Sequence, residues 1–337
     1  MIKIISRQVL LFIAIIGFTV FSACSRGVKK EANATKYDKV PVASANMDSF
    51  DVNSRDSSLT TIALDSSKKM EIPATANEKL VVDHTAYSLL YSEEHEQAIW
   101  IAYELTSEET NRKFERSNKF TEDDAIKTGS ANDVDYKGSG YDRGHLAPAA
   151  DMSWSNQTMQ ESFYYSNMSP QDPSFNRGIW KKLEELVRTW AVENKALYVV
   201  TGPVLTKGLP TIGPSKVSVP EYYYKVLLDY SEPDFKAIGF ILPNKAGSGS
   251  LEAFAVSVDK VEKITGLDFF PMLPNNKESV LENSICISCW SWKATKTPSS
   301  NLEKGTSTSV QCGGITKSGN QCRRTTTDPS GFCYQHQ

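Results

Sequence analysis

The sequence predicts an α+β fold of mixed antiparallel sheets with helices. Three observations carry that expectation. Several short runs rich in β-branched and aromatic residues read as strands. A few stretches repeat their apolar residues at helical spacing. The two kinds are mixed irregularly, without the strand–helix alternation of a parallel sheet.

The chain has 337 residues, 23% of them charged, and a formal charge of −3, which is the composition of an ordinary globular protein with room for a large core. There is no global basic excess, so any phosphate-binding surface must be a local patch. The N-terminus differs from the rest. Lys3 and Arg7 precede an uncharged apolar run from Val9 to Phe21, which is shorter than the roughly 20 residues of a membrane span. It fits the apolar core of a secretory signal over residues 1–23. Phe21-Ser22-Ala23-Cys24 resembles a bacterial lipoprotein box with phenylalanine in the usual leucine place, which makes Cys24 the expected lipidation site and the cell envelope the expected location. The alternative is a secreted protein with an incidental cysteine. Residues 24–77 are rich in Ser, Ala, Asn, Asp and Lys and read as a flexible tether.

The folded body is expected over residues 78–295. V-V-D-H-T-A-Y-S-L-L-Y and A-I-W-I-A-Y-E-L, separated by S-E-E-H-E-Q, read as strand, turn and strand. The polar stretch from Thr106 to Gly138 reads as loop with short strands, and Tyr141 to Ala150 as an extended connection containing proline. Glu161 to Met168 is predicted as a strand and Pro170 to Phe175 as a turn. Trp180, Leu183, Val187 and Trp190 recur at helical spacing, which predicts a helix from Asn176 to Val192 with Asn176 as its cap. Further strands are predicted at Leu197–Val200, Tyr222–Tyr230 and Ala237–Leu242, then a helix at Leu251–Thr265 stopped by Gly266. Residues 296–310 read as a second linker, and 311–337 as a small separate Cys-rich unit.

Chemistry concentrates between Gly140 and Arg188. Of the four histidines, only His145 lies among functional groups, in Y-D-R-G-H-L-A-P. Imidazole suits proton removal near neutral pH, and the Arg143 guanidinium is a planar fork for phosphate. Gly144 allows a close backbone approach or an unusual dihedral. A D-R-G-H string can also arise by chance around a structural histidine. Downstream, S-N-x-x-P-Q-x(4)-N-x(3)-W-x-x-L-E places Asn176 ahead of Glu184 and Arg188, a carboxylate and a guanidinium four residues apart. Singly, those two could be a surface ion pair and Asn176 a mere cap. Both patterns in close succession point to a site. Arg177, Lys181, Lys182 and Arg188 give the helix a basic face.

Y-D-R-G-H-L-A-P, Y-S-N-M-S-P-Q, F-N-R-G-I-W-K-K-L-E, V-V-T-G-P-V-L and P-E-Y-Y-Y-K, in that order, resemble the DNA/RNA non-specific endonuclease family of the ββα-metal superfamily from about His84 to Trp292. The resemblance implies a Mg²⁺-dependent enzyme that cuts DNA and RNA and leaves 5′-phosphate ends. It implies His145 as general base, Asn176 as the direct Mg²⁺ ligand, Glu184 ordering the ion's water shell and Arg143 on phosphate. Asn167 would support the site, by orienting Asn176 or the scissile phosphate, and Arg188, with Arg177, would hold substrate. Arg116 is the choice for an upstream arginine acting on the transition state, with Arg112 nearby. Magnesium favours oxygen ligands and keeps most of its water, so one amide with outlying acids is chemically sufficient.

With Cys24 set apart, five cysteines remain, an odd number. Cys312, Cys322, Cys333 and His336 could make a closed tetrahedral Zn²⁺ site, which a unit this short would use as a staple. A disulfide plus a free thiol is the alternative. Cys286 and Cys289 are left to each other, as a tight disulfide or a reduced pair. The leading expectation is a lipid-anchored nuclease. Its alternatives are a nucleic-acid-binding envelope lipoprotein with weak or no catalysis, and a related phosphodiesterase.

Overall fold

The computed structural model describes residues 69–231, 235–294, 310–315, 319–323 and 325–326. The chain divides into a unit up to Ile62 and one from Ala63 onward, and every described residue belongs to the second. The signal segment and Cys24 lie outside the described residues, as do Cys333 and His336.

In chain order the strands are β1 (Val81–Asp83), β2 (Ser88–Ser92), β3 (Gln97–Thr106), β4 (Asp142–His145), β5 (Met168–Gln171), β6 (Ala196–Pro203), β7 (Thr211–Ile212), β8 (Val217–Ser218), β9 (Tyr222–Asp229), β10 (Lys236–Pro243), β11 (Ala255–Val256), β12 (Val310–Gln311) and β13 (Thr325–Thr326). The helices are α1 (Asp133–Tyr136), α2 (Asn156–Glu161), α3 (Pro173–Phe175), α4 (Lys181–Glu193), α5 (Val258–Thr265) and α6 (Asn275–Asn283). Seven strands form one sheet in the order β1-β2-β3-β6-β9-β10-β11, with every neighbouring pair antiparallel. The α+β expectation holds.

The sheet is covered on both faces, which is why its central strands are apolar almost throughout. Side chains alternate across a strand. On β3, Ile101, Tyr103 and Leu105 join a core with Leu183, Leu186, Val187 and Trp190 of α4, while Trp100 and Ala102 face Val258 and Val261 of α5 with Phe269 and Phe270. The same alternation along β9 sends Tyr223 and Leu227 to the α4 face. Lys225 lies between them, 1% exposed, its Nζ 4.9 Å from the Trp180 ring centre.

Several sequence expectations are corrected. The first predicted strand is two, β1 and β2, because His84 N–H bonds Tyr87 O at 2.8 Å and turns the chain back so that Val81 pairs with Leu90. The strand expected at Glu161–Met168 is instead the end of α2 and a 3₁₀ turn at Tyr165–Asn167, and extended pairing begins only at Met168. Ser155 starts that helix by accepting from Thr158 N at 3.1 Å. The helix expected at Leu251–Thr265 is split into a 3₁₀ turn at Leu251–Phe254 and α5, because Ala255 and Val256 pair with β10 and Ser257 is the cap. Gly266 ends it in the left-handed region at φ 73°, which costs glycine little. The fold also begins before residue 78: Met70 is buried under the sheet, and Ala74 N bonds Asp268 O at 2.8 Å.

Candidate active site

β4 and β5 form a separate ribbon that pairs Asp142 with Gln171, Gly144 with Ser169 and His145 with Met168, and the chain then runs through α3 into α4. Asp172, not Asn176, caps the helix start: its Oδ1 accepts from Ser174 N at 2.8 Å and Phe175 N at 3.1 Å, and Pro173 occupies the first turn. The cap expected at Asn176 is therefore corrected. Asn176 sits inside a wide π-type turn, Asn176–Trp180, kinked at Gly178 with φ −105° and ψ −108°. Released from capping, its side chain turns to the ribbon, where Nδ2 donates to Asp142 Oδ2 at 2.9 Å.

Ribbon and helix enclose a cavity of about 510 Å³ lined by Arg116, Phe120, Asp142, Arg143, His145, Pro148, Ala149, Ala150, Asn176, Arg177, Lys181, Glu184 and Arg188. Five of these are cationic and two, Asp142 and Glu184, are carboxylates, so a locally basic site stands on an acidic chain. The structure thus brings together His145, Arg143, Arg116, Glu184, Arg188, Arg177 and Asn176, and it places Arg116, not Arg112, on the cavity wall.

His145 is 7% exposed and packs edge-on against Phe163, with ring centres 4.9 Å apart. Its Nε2 is sealed from solvent without a hydrogen-bond partner, so Nδ1 is the ring nitrogen open to the cavity. Burial, reinforced by the charge of Arg116, pushes its pKa down to about 3. The imidazole is therefore held neutral, the form that accepts a proton. Arg116 lies 4.9 Å over the Phe163 ring, and its Nε donates to Asn118 at 2.8 Å. Arg143 sits 5.0 Å over Phe120, donates from Nε to Tyr165 Oη at 3.0 Å and pairs with Asp133.

Asn167 is placed differently from the sequence expectation. It is fully buried and does not line the cavity. Its Oδ1 accepts from Ala147 N at 2.8 Å, and its Nδ2 donates to Ala147 O at 2.9 Å and Ser162 O at 2.7 Å. With all of its polar atoms taken by main chain, it orients neither Asn176 nor a phosphate directly. It clamps the segment that follows His145.

Glu184 and Arg188 are not a surface pair. Arg188 donates from Nη1 to Asp151 Oδ1 at 2.7 Å, and Asp151 Oδ2 accepts from Tyr103 Oη at 2.9 Å. Glu184 faces that buried network and Lys225 behind it. Burial raises the Glu184 pKa against the pull of Arg188, Lys225 and Arg116, with Asp151 adding to the rise. Burial lowers that of Lys225 against Glu184 and Asp151, and its Nζ has no hydrogen-bond partner. Asp142, Asp151, Tyr103 and Lys225 were missed by sequence reasoning. Asp142 and Asp151 lie in the stretch that contains His145, but their partners are 34 to 48 residues away, beyond the reach of local pattern.

The donor set fits a hard divalent cation. A carboxylate only accepts, so Asp142 must face the amide nitrogen of Asn176, which leaves Asn176 Oδ1 as the free oxygen. Glu184 supplies an outlying carboxylate in the same cavity.

Away from this site, Cys286 and Cys289 form a disulfide. Cys312 and Cys322 are buried against each other beside the β12–β13 pair.

The sequence model of the DNA/RNA non-specific endonuclease family matches residues 66–276. Mitochondrial endonuclease G of Bos taurus is 33% identical over 218 residues, covering 60% of this chain and 72% of that protein. Nuclease C1 of Cunninghamella echinulata is 37% identical over 221 residues, covering 60% and 86%. A crystal structure of the EndoG/EndoGI complex, described as showing the mechanism of EndoG inhibition, superposes with a TM-score of 0.55 at 32% identity, covering 59% of this chain and 88% of that one.

Proposed function

Because the chain belongs to the DNA/RNA non-specific endonuclease family and is a nuclease, we propose that it hydrolyses phosphodiester bonds of both DNA and RNA with Mg²⁺, leaving 5′-phosphate ends. One observation carries this: the open nitrogen of a neutral imidazole and the free oxygen of an oriented amide face one arginine-lined cavity.

His145 Nδ1 takes a proton from the attacking water, whose oxygen bonds to phosphorus as the bond to the 3′ oxygen breaks, and the 3′ oxygen takes a proton from solvent water to leave as a hydroxyl. The burial that keeps the imidazole neutral also limits its basicity. An anionic phosphodiester beside it opposes the Arg116 charge and raises its proton affinity when substrate is bound. Asn176 Oδ1 would hold the magnesium ion, and Glu184 would order the waters around it. When bound, Mg²⁺ neutralises charge on the phosphate and the leaving oxygen. Arg116 and Arg143 face the phosphate from the ribbon side, while Arg188, held by Asp151, faces it from α4. Arg177 is largely exposed and paired with Asp142 at 2.5 Å, which suits an outer contact to the strand. These are contacts to backbone, not to base edges, so weak sequence preference is expected.

The test is cleavage of plasmid and of RNA by the full chain with Mg²⁺ or EDTA, for wild type and His145→Ala, with end-labelling of the products. Loss of cutting in EDTA and in the variant supports the assignment. Cutting that survives the substitution rejects His145 as base. The binding-only alternative predicts retention of nucleic acid with no turnover in either protein.

The lipid anchor at Cys24, and with it an envelope location, rests on the signal-like N-terminus alone. A Cys24→Ser chain that remained in the membrane fraction would reject it. Zinc at Cys312, Cys322, Cys333 and His336 is supported only by the burial of the first two cysteines, and elemental analysis of the purified chain tests it.

A further inference from the structure

On the face of the sheet opposite the active site, α5 and α6 bring three carboxylates together. The ligand oxygens of Asp259 and Glu262 on α5 and Glu282 on α6 all lie within 4.8 Å of one another. Clusters of exposed acids are common, but Glu282 is 6% exposed, and its Oε1 is fully buried with no hydrogen-bond partner. Among the described residues none of the three forms an ion pair with a lysine, arginine or histidine. Asp268 and Glu278 add further negative charge around Glu282. Glu262 is aimed by the turn between the helices, since its Oε1 accepts from Phe269 N at 2.8 Å.

We propose that Asp259, Glu262 and Glu282 hold a calcium ion that ties α5 to α6. Calcium bonds oxygen at about 2.3–2.6 Å, so opposite ligands stand up to roughly 5 Å apart, and it accepts six to eight oxygens in flexible arrangements. The three carboxylate oxygens, all within 4.8 Å of one another, fit inside that span. Magnesium, at about 2.0–2.1 Å, would draw its ligands within roughly 4.2 Å and demand an octahedron. Asp259 is exposed and leaves the outer side open to water. The ion would supply the partner that the buried Glu282 Oε1 lacks.

The experiment follows thermal unfolding and the heat of CaCl₂ or MgCl₂ titration for the full chain carrying Asn176→Ala, which silences the candidate catalytic amide. Saturating Ca²⁺ is expected to raise the midpoint by on the order of 5 °C, and Mg²⁺ by much less. Adding Glu282→Gln should abolish the Ca²⁺ response and raise the midpoint in EDTA, because it removes the buried charge. Asp259→Asn, at an exposed position that cannot disturb the core, should weaken Ca²⁺ binding at least about tenfold, the usual order for loss of a group supporting a metal site. No response to Ca²⁺, an equal response to Mg²⁺, or a Ca²⁺ response undiminished in both carboxylate variants would overturn the assignment.

Discussion

The Asn176 amide donates from Nδ2 to Asp142 Oδ2 at 2.9 Å, and this bond leaves its Oδ1 as the free end of the amide. Asp142 also holds Arg177, at 2.8 Å and 2.5 Å, so it is fixed from two sides. Asp142→Asn removes the strict acceptor and lets the Asn176 amide reverse. The expected result is a 10–100-fold rise in the Mg²⁺ concentration for half-maximal cleavage, with the rate largely recovered at saturating metal. Arg177→Ala, which leaves the amide oriented, should move that midpoint far less. A Mg²⁺ titration of initial rates separates the two.

If His145 is the base proposed above, its burial ties catalysis to acid stability. An unfolded imidazole titrates near 6.5, and the folded one is pushed down to about 3 by burial and then by Arg116. Between those values the unfolded chain binds a proton that the folded chain does not, so stability falls as pH drops through this window. The slope is about 1.4 kcal/mol per pH unit. His145→Gln should flatten the acid slope by about one proton between pH 6 and 4, read from urea unfolding at a series of pH values. The same variant should lose roughly 10²–10⁴ in cleavage rate, the usual worth of a general base. An unchanged slope would mean that the imidazole protonates normally in the folded protein.

Lys225 stands behind the site with no hydrogen bond, over Trp180 and near Glu184. Lys225→Met keeps the volume and removes the charge that helps Glu184 to ionise. The carboxyl, already raised by burial, should then rise further. Cleavage at neutral pH should fall and recover in alkali, moving the acid limb of the rate profile upward. A uniform loss at every pH would assign Lys225 to packing instead.

What was legible in the sequence follows the range of the signal. Strand β10, expected at Ala237–Leu242, runs Lys236–Pro243, because its apolar run is bounded by polar residues and a proline. The long helix was also found from its apolar spacing. Its start was displaced because Asp172 and Asn176 are both good caps, and only the fold shows that Asp172 takes the role. Phe163, Tyr164 and Tyr165 have strand-forming side chains, yet they form helix end and turn: Phe163 packs against His145 and Tyr165 against Arg143, so tertiary contact overrides local preference. Buried charge networks were not legible at all. Tyr103, Asp151 and Arg188 meet across 48 and 37 residues, and nothing in their local sequence marks them as partners.

Asn167 acts through the backbone. Asn167→Ala leaves Ala147 N and O and Ser162 O buried without their partner. At about 1–3 kcal/mol for each unsatisfied group, the loss is on the order of several kcal/mol. The midpoint should fall by roughly 10 °C or more for a domain of this size. Protein that remains folded at low temperature should keep its Mg²⁺ dependence, because no atom of Asn167 reaches the cavity. A stable variant with a weakened metal requirement would place Asn167 in the site after all.

Gly144 is required for space, not for an unusual dihedral. A Cβ there would collide with Cγ, Cδ and Oε1 of Gln171. Gln171 is fully buried, so its side chain has no solvent to swing into. Gly144→Ala must therefore push the two strands of the ribbon apart, at an overpacking cost of about 1–3 kcal/mol. Since the ribbon carries Asp142 and His145 on either side of the glycine, cleavage should decline with stability. The double variant Gly144→Ala/Gln171→Ala removes the obstructing atoms. It should be more stable than the sum of the single variants by about 1 kcal/mol or more, the coupling expected of residues in contact. Additive losses, measured by denaturant unfolding of the four proteins, would show that the glycine serves something other than the approach of Gln171.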